Sequence, residues 1–258
     1  METNKKQRDV KIISEIHPQH YGSMDEIKRM IIQSKIAGAD IVKLQLYDSK
    51  KLWGDNERVY LDVSENELSE INEFCKIHGI ELSASIFDLK RVDWCEKLNF
   101  KTYKIASRSV EDKELCEKIL SLNKKTIVSL GMYDFKKNGA PFEKRENIHY
   151  LYCVAKYPTS LEDIDMPDFS ETFFSGFSDH TIGISACLFA LARGAKIIEK
   201  HFSNSKTIGV STQSAHVCSM NMHDLEMIRE FSDTFNLLRS KISKKIFLNL
   251  MKTILIFG

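Results

Sequence analysis

Two lysines stand inside apolar runs where a cation has no ordinary place: Lys43 in IVKLQL and Lys104 in TYKIAS. An unpaired buried ammonium is costly, so each must face carboxylates or a ligand. Glu15 and Glu199 are placed to offset them, the first closing one apolar run and the second lying within another. Further polar residues gather where other runs stop. They are Gln45, Ser83 and Ser85, Ser107, Ser129, Tyr157, then Ser178, Asp179 and His180, and finally His201. Net charge is +1, so a small anionic substrate would be held by such local cations and not by a general positive field.

Those residues need a scaffold that brings distant strand ends together. A unit recurs in the chain: an amphipathic helical stretch, a glycine or turn, a short β-rich run, then polar residues. AGADIVKLQL (37–46), HGIELSASIF (78–87) and RGAKIIEKHF (193–202) are the clearest copies. The runs KIISEI, IVKLQL, LSASIF, TYKIAS, TIVSLG, YLYCVA, FFSGFS and KIIEKH make eight candidate strands. Helical patterns such as MDEIKRMIIQSKIA and ENELSEINEFCKI separate most of them, which implies a parallel sheet. Eight units in 258 residues favour a closed (β/α)8 TIM barrel, a single domain over 1–241 followed by an apolar tail, 242–258. Neither GxGxxG nor GxxxxGK[ST] occurs, which removes the main nucleotide-binding version of an open sheet. Barrel enzymes keep their chemistry at the carboxyl ends of the strands, where the polar residues above are found.

Hydrophobic residues make up 43% and charged residues 28%, with four prolines and eleven glycines, which is ordinary globular composition. Nothing in the charge points to nucleic acid or to a polybasic membrane anchor. The six cysteines show no CxxC spacing and the first residues lack a signal-peptide run, so reduced thiols and a cytoplasmic location are expected. Asn249 and Lys252 interrupt the tail, leaving it too short to span a bilayer.

The run SEIHPQHYGSMDEIKRMIIQSKIAGADIVKLQLY resembles the opening of the N-acetylneuraminate (sialic acid) synthase family. So do YKIASRS, IVSLGM, YCVAKYPT, GFSDHTIG, IIEKHF and VCSMN, in the family's order, over roughly residues 8 to 235. SDHTIG followed about twenty residues later by EKHF is the most specific part. The family fold is the (β/α)8 barrel. The resemblance implies that His180 and His201 bind a divalent metal, manganese first with magnesium or cobalt as alternatives. Two imidazole ligands leave positions open for water and substrate. A phosphoenolpyruvate subsite carries over to Lys43, Ser85, Lys104, Ser107, Ser129 and Tyr157, with Ser178, Asp179 and Gln45 also at the substrates. Glu15 and Glu199 would work at the sugar or the reacting carbons. The implied reaction condenses phosphoenolpyruvate with an N-acetylated amino hexose, N-acetylmannosamine or a diacetamido sugar, giving a nonulosonic acid and phosphate.

Several positions depart from the family. The sequence ends without the family's antifreeze-like domain, so either another polypeptide supplies that lid, or the sugar site is more open, or the chain is a truncated product. The resemblance separately implies a homodimer. Ser109 stands where a glutamate is usual, and Arg108 beside it is a new cation at the mouth. The GPD element is replaced by TQSAHVCSM, putting Ala215 at a sugar-contacting aspartate. Gln19-His20 replaces Asn-His. His17, His20 and His216 read more readily as loop residues than as sugar contacts. Trp53 and Tyr60 read more readily as an amphipathic loop than as a lid. These changes point to an altered acceptor. A competing reading is a non-catalytic homologue that binds a sugar or a partner; a Schiff-base aldolase is disfavoured because nearby carboxylates raise a lysine pKa.

Overall fold

The eight apolar runs become eight strands buried on both faces: β1 (Lys11–Glu15), β2 (Ile41–Leu46), β3 (Glu81–Ile86), β4 (Thr102–Ile105), β5 (Lys125–Ser129), β6 (Ile148–Cys153), β7 (Phe174–Asp179) and β8 (Ile197–His201). All pair in parallel in chain order, and β8 closes on β1, making a (β/α)8 barrel. The computed structural model describes residues 8–54, 56–205, 216–235 and 237–238; Ala215 and the tail 242–258 lie outside them. Seven helices precede the last strand: α1 (Met24–Ile36), α2 (Ser49–Trp53), α3 (Glu65–Ile77), α4 (Leu89–Lys97), α5 (Lys113–Ser121), α6 (Phe135–Asn138) and α7 (Ser185–Ala192). Residues 222–235 form α8. No helix among the described residues is long and apolar enough to cross a membrane.

Local chemistry accounts for these boundaries. Ser23 caps α1 by accepting from the Glu26 N–H, and Ser64 with Glu67 forms a reciprocal capping box on α3. Asp88 and Asp112 cap α4 and α5 in the same way. The glycine expected after the last helical turn is present as Gly38, Gly79 and Gly194, all at positive φ. After α4 and α5, Asn99 and Asn123 take the left-handed conformation instead, as short polar side chains can. On α1 the buried residues Ile27, Met30, Ile31 and Ser34 make one stripe facing the sheet.

Strand alternation splits the apolar residues into two cores. Leu44, Leu46, Ile105 and Ile198 belong to the large cluster between strands and helices. Ile13, Ile41, Ile127, Leu151 and Ile197 form a separate cluster inside the barrel, a floor beneath the mouth. At Gly176 any Cβ would sit 1.9 Å from the Ile197 carbonyl oxygen, so only glycine permits β7 and β8 to pair there. The amino-terminal end is closed by Arg229 of α8. It donates to the carbonyls of Gly38 and Val10 and pairs with Asp40, which also accepts from the Ile12 N–H.

Candidate active site

Register places the charged residues side by side at the carboxyl ends. Glu15 lies opposite Lys43 on β2 and His201 on β8, Ser85 opposite Lys104, and Ser178 opposite Glu199. Their side chains converge in a cavity of about 480 Å³ at the barrel mouth. Glu15 accepts from the Lys43 ammonium and from the His17 N–H at 3.1 Å. Lys43 also donates to Ser85 Oγ at 2.9 Å and lies 3.9 Å from Glu199. Lys104 donates to Ser129 Oγ at 2.7 Å and lies 3.4 Å from the same glutamate, which accepts from Ser178 at 3.1 Å. Glu15, Lys43, Glu199 and Lys104 therefore alternate in sign along one buried row. Glu199 Oε2 has no hydrogen-bond partner, leaving an acceptor for a ligand.

Burial, helped by the Lys104 charge and opposed by Glu199, presses the Lys43 ammonium down to about 7. Burial also opposes ionisation of Glu199, yet Lys104, Lys43 and the Ser178 hydroxyl outweigh it and hold the carboxyl below its ordinary value. Two cations among serine hydroxyls, where water is scarce, make a receptor for a compact polyanion.

His180, just past β7, and His201, closing β8, line the same mouth, their ring centroids 5.9 Å apart. Burial pushes His180 down to about 4 and His201 well below its usual value, so both rings are neutral near pH 7. His180 Nδ1–H donates to the Val154 carbonyl at 2.9 Å, leaving a lone pair on Nε2. His201 Nδ1 lies 3.2 Å from the Gln19 amide, whose oxygen is buried without a partner. Turning that amide over satisfies the oxygen with His201 Nδ1–H and frees Nε2 as well. Both histidines thus fit the pattern of metal ligands oriented through their second nitrogen. No cluster of three or more His, Cys, Asp or Glu suited to a metal occurs among the described residues. Tyr157 packs its ring 4.0 Å from that of His180 and remains 45% exposed.

Other residues singled out in the sequence take varied places. Gln45 lines the cavity and donates to the His17 carbonyl; Ser107 lines it and accepts from the Gly131 N–H. Asp179 borders the cavity and is also held by a buried ion pair. Its carboxylate pairs with fully buried Lys200 and accepts from the Thr181 N–H, and Cys187 Sγ lies 3.1 Å away. Ser178, Glu199 and His201 turn into the cavity, and the Asp179–Lys200 pair borders it from the alternate positions of β7 and β8. All six cysteines are buried and none forms a disulfide.

His17, His20 and His216 are interior residues. Gly22 N–H donates to His20 Nδ1, so His20 donates from Nε2 to His17 Nδ1, and His17 donates from Nε2 to the Tyr47 hydroxyl. His216 bonds Ser203 and stacks on Tyr21. The relay leaves the hydroxyl hydrogen of Tyr47 for the cavity that this residue lines. Sequence reasoning missed Tyr47, although its spacing from Lys43 and Gln45 in steps of two was the available signal.

The fold and site define a (β/α)8 barrel with a charged, largely desolvated pocket at its carboxyl-terminal mouth. Residues 30–243 match the NeuB family, and the chain belongs to that family. An uncharacterised protein of Methanocaldococcus jannaschii is 34% identical over 212 residues, covering 76% of this chain and 63% of its own length. The N,N'-diacetyllegionaminic acid synthase of Campylobacter jejuni is 30% identical over 251 residues, covering 84% of this chain and 73% of its own. This chain thus spans about two thirds of these relatives' lengths. The crystal structure of N-acetylneuraminic acid synthetase from Leptospira borgpetersenii superposes with a TM-score of 0.78 at 25% identity, covering 90% of this chain and 85% of that one.

Proposed function

We propose that the protein is a sialic acid synthase-type transferase, condensing phosphoenolpyruvate with an N-acetylated amino hexose, N-acetylmannosamine or a diacetamido sugar. The observation that carries this reading is the row Glu15–Lys43–Glu199–Lys104 and two neutral histidines lining one cavity. Family membership and the legionaminic acid synthase relative support it. Lys43 and Lys104, with the hydroxyls of Ser85, Ser107 and Ser129, hold the phosphate and carboxylate of phosphoenolpyruvate. Gln45 and Tyr157 line the space left for the sugar. A divalent cation held by His180 and His201, manganese first with magnesium or cobalt as alternatives, would supply Lewis-acid polarisation of the acceptor's carbonyl oxygen.

In the reaction C3 of the enol bonds to the aldehyde carbon and C2 becomes an oxocarbenium. Water adds at C2, and the C2–O bond to phosphate breaks, giving the 2-keto acid. Glu15 or Glu199 takes one proton of that water, the acceptor's oxygen gains one, and the remaining C2 hydroxyl proton leaves with the phosphate as the C2–O bond breaks. Fixed ammonium and carboxylate groups stabilise these charges without reorganisation.

The test is phosphate release from phosphoenolpyruvate with manganese against a panel of N-acetylated hexoses, beside His180→Ala/His201→Ala. Release with one sugar, lost in the double variant and on chelation, upholds the synthase and names its acceptor. Folded protein that binds neither manganese nor phosphoenolpyruvate would overturn it in favour of a non-catalytic homologue.

A further inference from the structure

The histidine relay just past β1 has a fixed direction. Gly22 N–H donates to His20 Nδ1 at 3.0 Å, so that nitrogen carries no proton of its own. His20 then holds its proton on Nε2 and donates it to His17 Nδ1, 2.9 Å away. His17 Nδ1 thus accepts, and the His17 proton sits on Nε2, which donates to the Tyr47 hydroxyl oxygen at 2.7 Å. One backbone amide in this way sets the polarity of three side chains. Burial favours the same uncharged rings, holding His20 at about 4 and His17 well below its ordinary value.

Tyr47, only 3% exposed, accepts from His17 and keeps one hydrogen to give. Among the described residues its hydroxyl has no other hydrogen-bond partner. Asp62, the carboxylate whose charge opposes ionisation of Tyr47, already accepts from the Ser49 N–H and hydroxyl. Burial raises the phenol above its ordinary range, so it stays a donor. A buried donor left unmatched is costly, and Tyr47 lines the cavity.

Phosphoenolpyruvate is provided for lower down, by two ammonium groups and three serine hydroxyls. Tyr47 directly follows β2, where Lys43 and Gln45 are alternate residues, and two residues of strand advance about 6.6 Å. It therefore stands above the level of the ammonium groups. What it meets there must accept a hydrogen bond and needs no charge, because every group of the relay is neutral. On an amino sugar the strongest such acceptor is an amide carbonyl. Phe87 packs its ring 5.9 Å from that of Tyr47, and Pro18, Leu52 and Leu61 also line the cavity. These apolar side chains suit the methyl of an acyl group.

We infer that Tyr47 donates to the acyl carbonyl of the acceptor and that His17 and His20 are positioning residues holding it to that polarity. The relay then selects an N-acylated amino sugar over the same sugar with a hydroxyl in that place. The inference rests on the synthase reading for the presence of an acceptor sugar, and binding measured apart from turnover separates the two.

Titration calorimetry with manganese present and phosphoenolpyruvate absent compares N-acetylmannosamine with mannose. Wild type, Tyr47→Phe, His17→Leu and the double variant are measured, with circular dichroism confirming the fold. Tyr47→Phe is expected to weaken N-acetylmannosamine about 10-fold, because one hydrogen bond is lost. Binding of mannose, and of phosphoenolpyruvate titrated separately, should stay within about twofold. His17→Leu is expected to weaken N-acetylmannosamine by a similar factor and to add nothing in the Tyr47→Phe background, as coupled residues do. Long-range proton–nitrogen NMR of the wild type should show both rings as Nε2–H tautomers at neutral pH, a readout that depends on no variant folding. Equal weakening of both sugars, no effect of Tyr47→Phe, or no binding of N-acetylmannosamine overturns the inference. So do losses that add in the double variant, or an Nδ1–H tautomer at either ring. Binding that depends on Tyr47 but gives no phosphate release once phosphoenolpyruvate is added upholds the inference and counts against the synthase reading alone.

Discussion

Lys104 carries a positive charge to a place water scarcely reaches, and among the described residues Glu199 alone faces it within ion-pair distance. Replacing it with methionine of similar length removes one anion donor and leaves Glu199 with only Lys43. The expected result for Lys104→Met is a fall in kcat/KM for phosphoenolpyruvate of about 100-fold or more, measured by phosphate release, because a charge-assisted contact in a buried site is lost. Lys43 gives a pH dependence. Its lowered value, about 7, means that it sheds its proton as pH rises through neutrality. Binding of phosphoenolpyruvate requires the ammonium form, so affinity should weaken above about pH 7, by up to tenfold per pH unit. Titration calorimetry from pH 6 to 9 would show flat affinity if Lys43 plays no part.

At the scale of elements, the site depends on parts that never touch it. Arg229 fastens α8 to the β1 entry and the α1–β2 turn at the barrel's amino-terminal end. Arg229→Leu leaves Asp40 with its partly exposed partners Arg8 and Lys11 and frees two backbone carbonyls. A loss of about 3 kcal/mol in urea unfolding is expected, since breaking a buried ion pair strands one partner. KM for phosphoenolpyruvate should stay unchanged, because the amino-terminal face of a barrel serves stability. Gly176→Ala is a harsher test. The added methyl meets the β8 backbone, so soluble folded protein should be scarce compared with the wild type.

For the whole molecule, buried neutral histidines set the acid limit of stability. His20 is lowered to about 4 and His17 well below its usual value, both by burial first. Below about pH 6.5 the unfolded chain binds protons at these rings that the folded chain refuses. Stability therefore falls on acidification from about pH 6.5 toward 4, by up to about 1.4 kcal/mol per pH unit for each ring. Thermal melts across this range should show a falling Tm with proton uptake on unfolding. A Tm flat down to pH 4 would mean that the rings are already charged in the folded state.

The strand order, the parallel barrel and its active end were legible in the sequence, because apolar runs of strand length, helix caps and turn residues act over a few neighbours. Lys43 and Lys104 announced themselves by the cost of burying a charge in such a run. The pairing of partners was decided by tertiary structure. Alternation along β7 and β8 could have turned Asp179 and Lys200 away from the mouth, yet their mutual contact depends on register between strands about twenty residues apart. The meeting of Arg58 and Arg108 on one indole likewise required two loops to fold over the same rim. Sequence states which groups are costly to bury; only the closed barrel states which group meets which, because that distance is set by the register of all eight strands together.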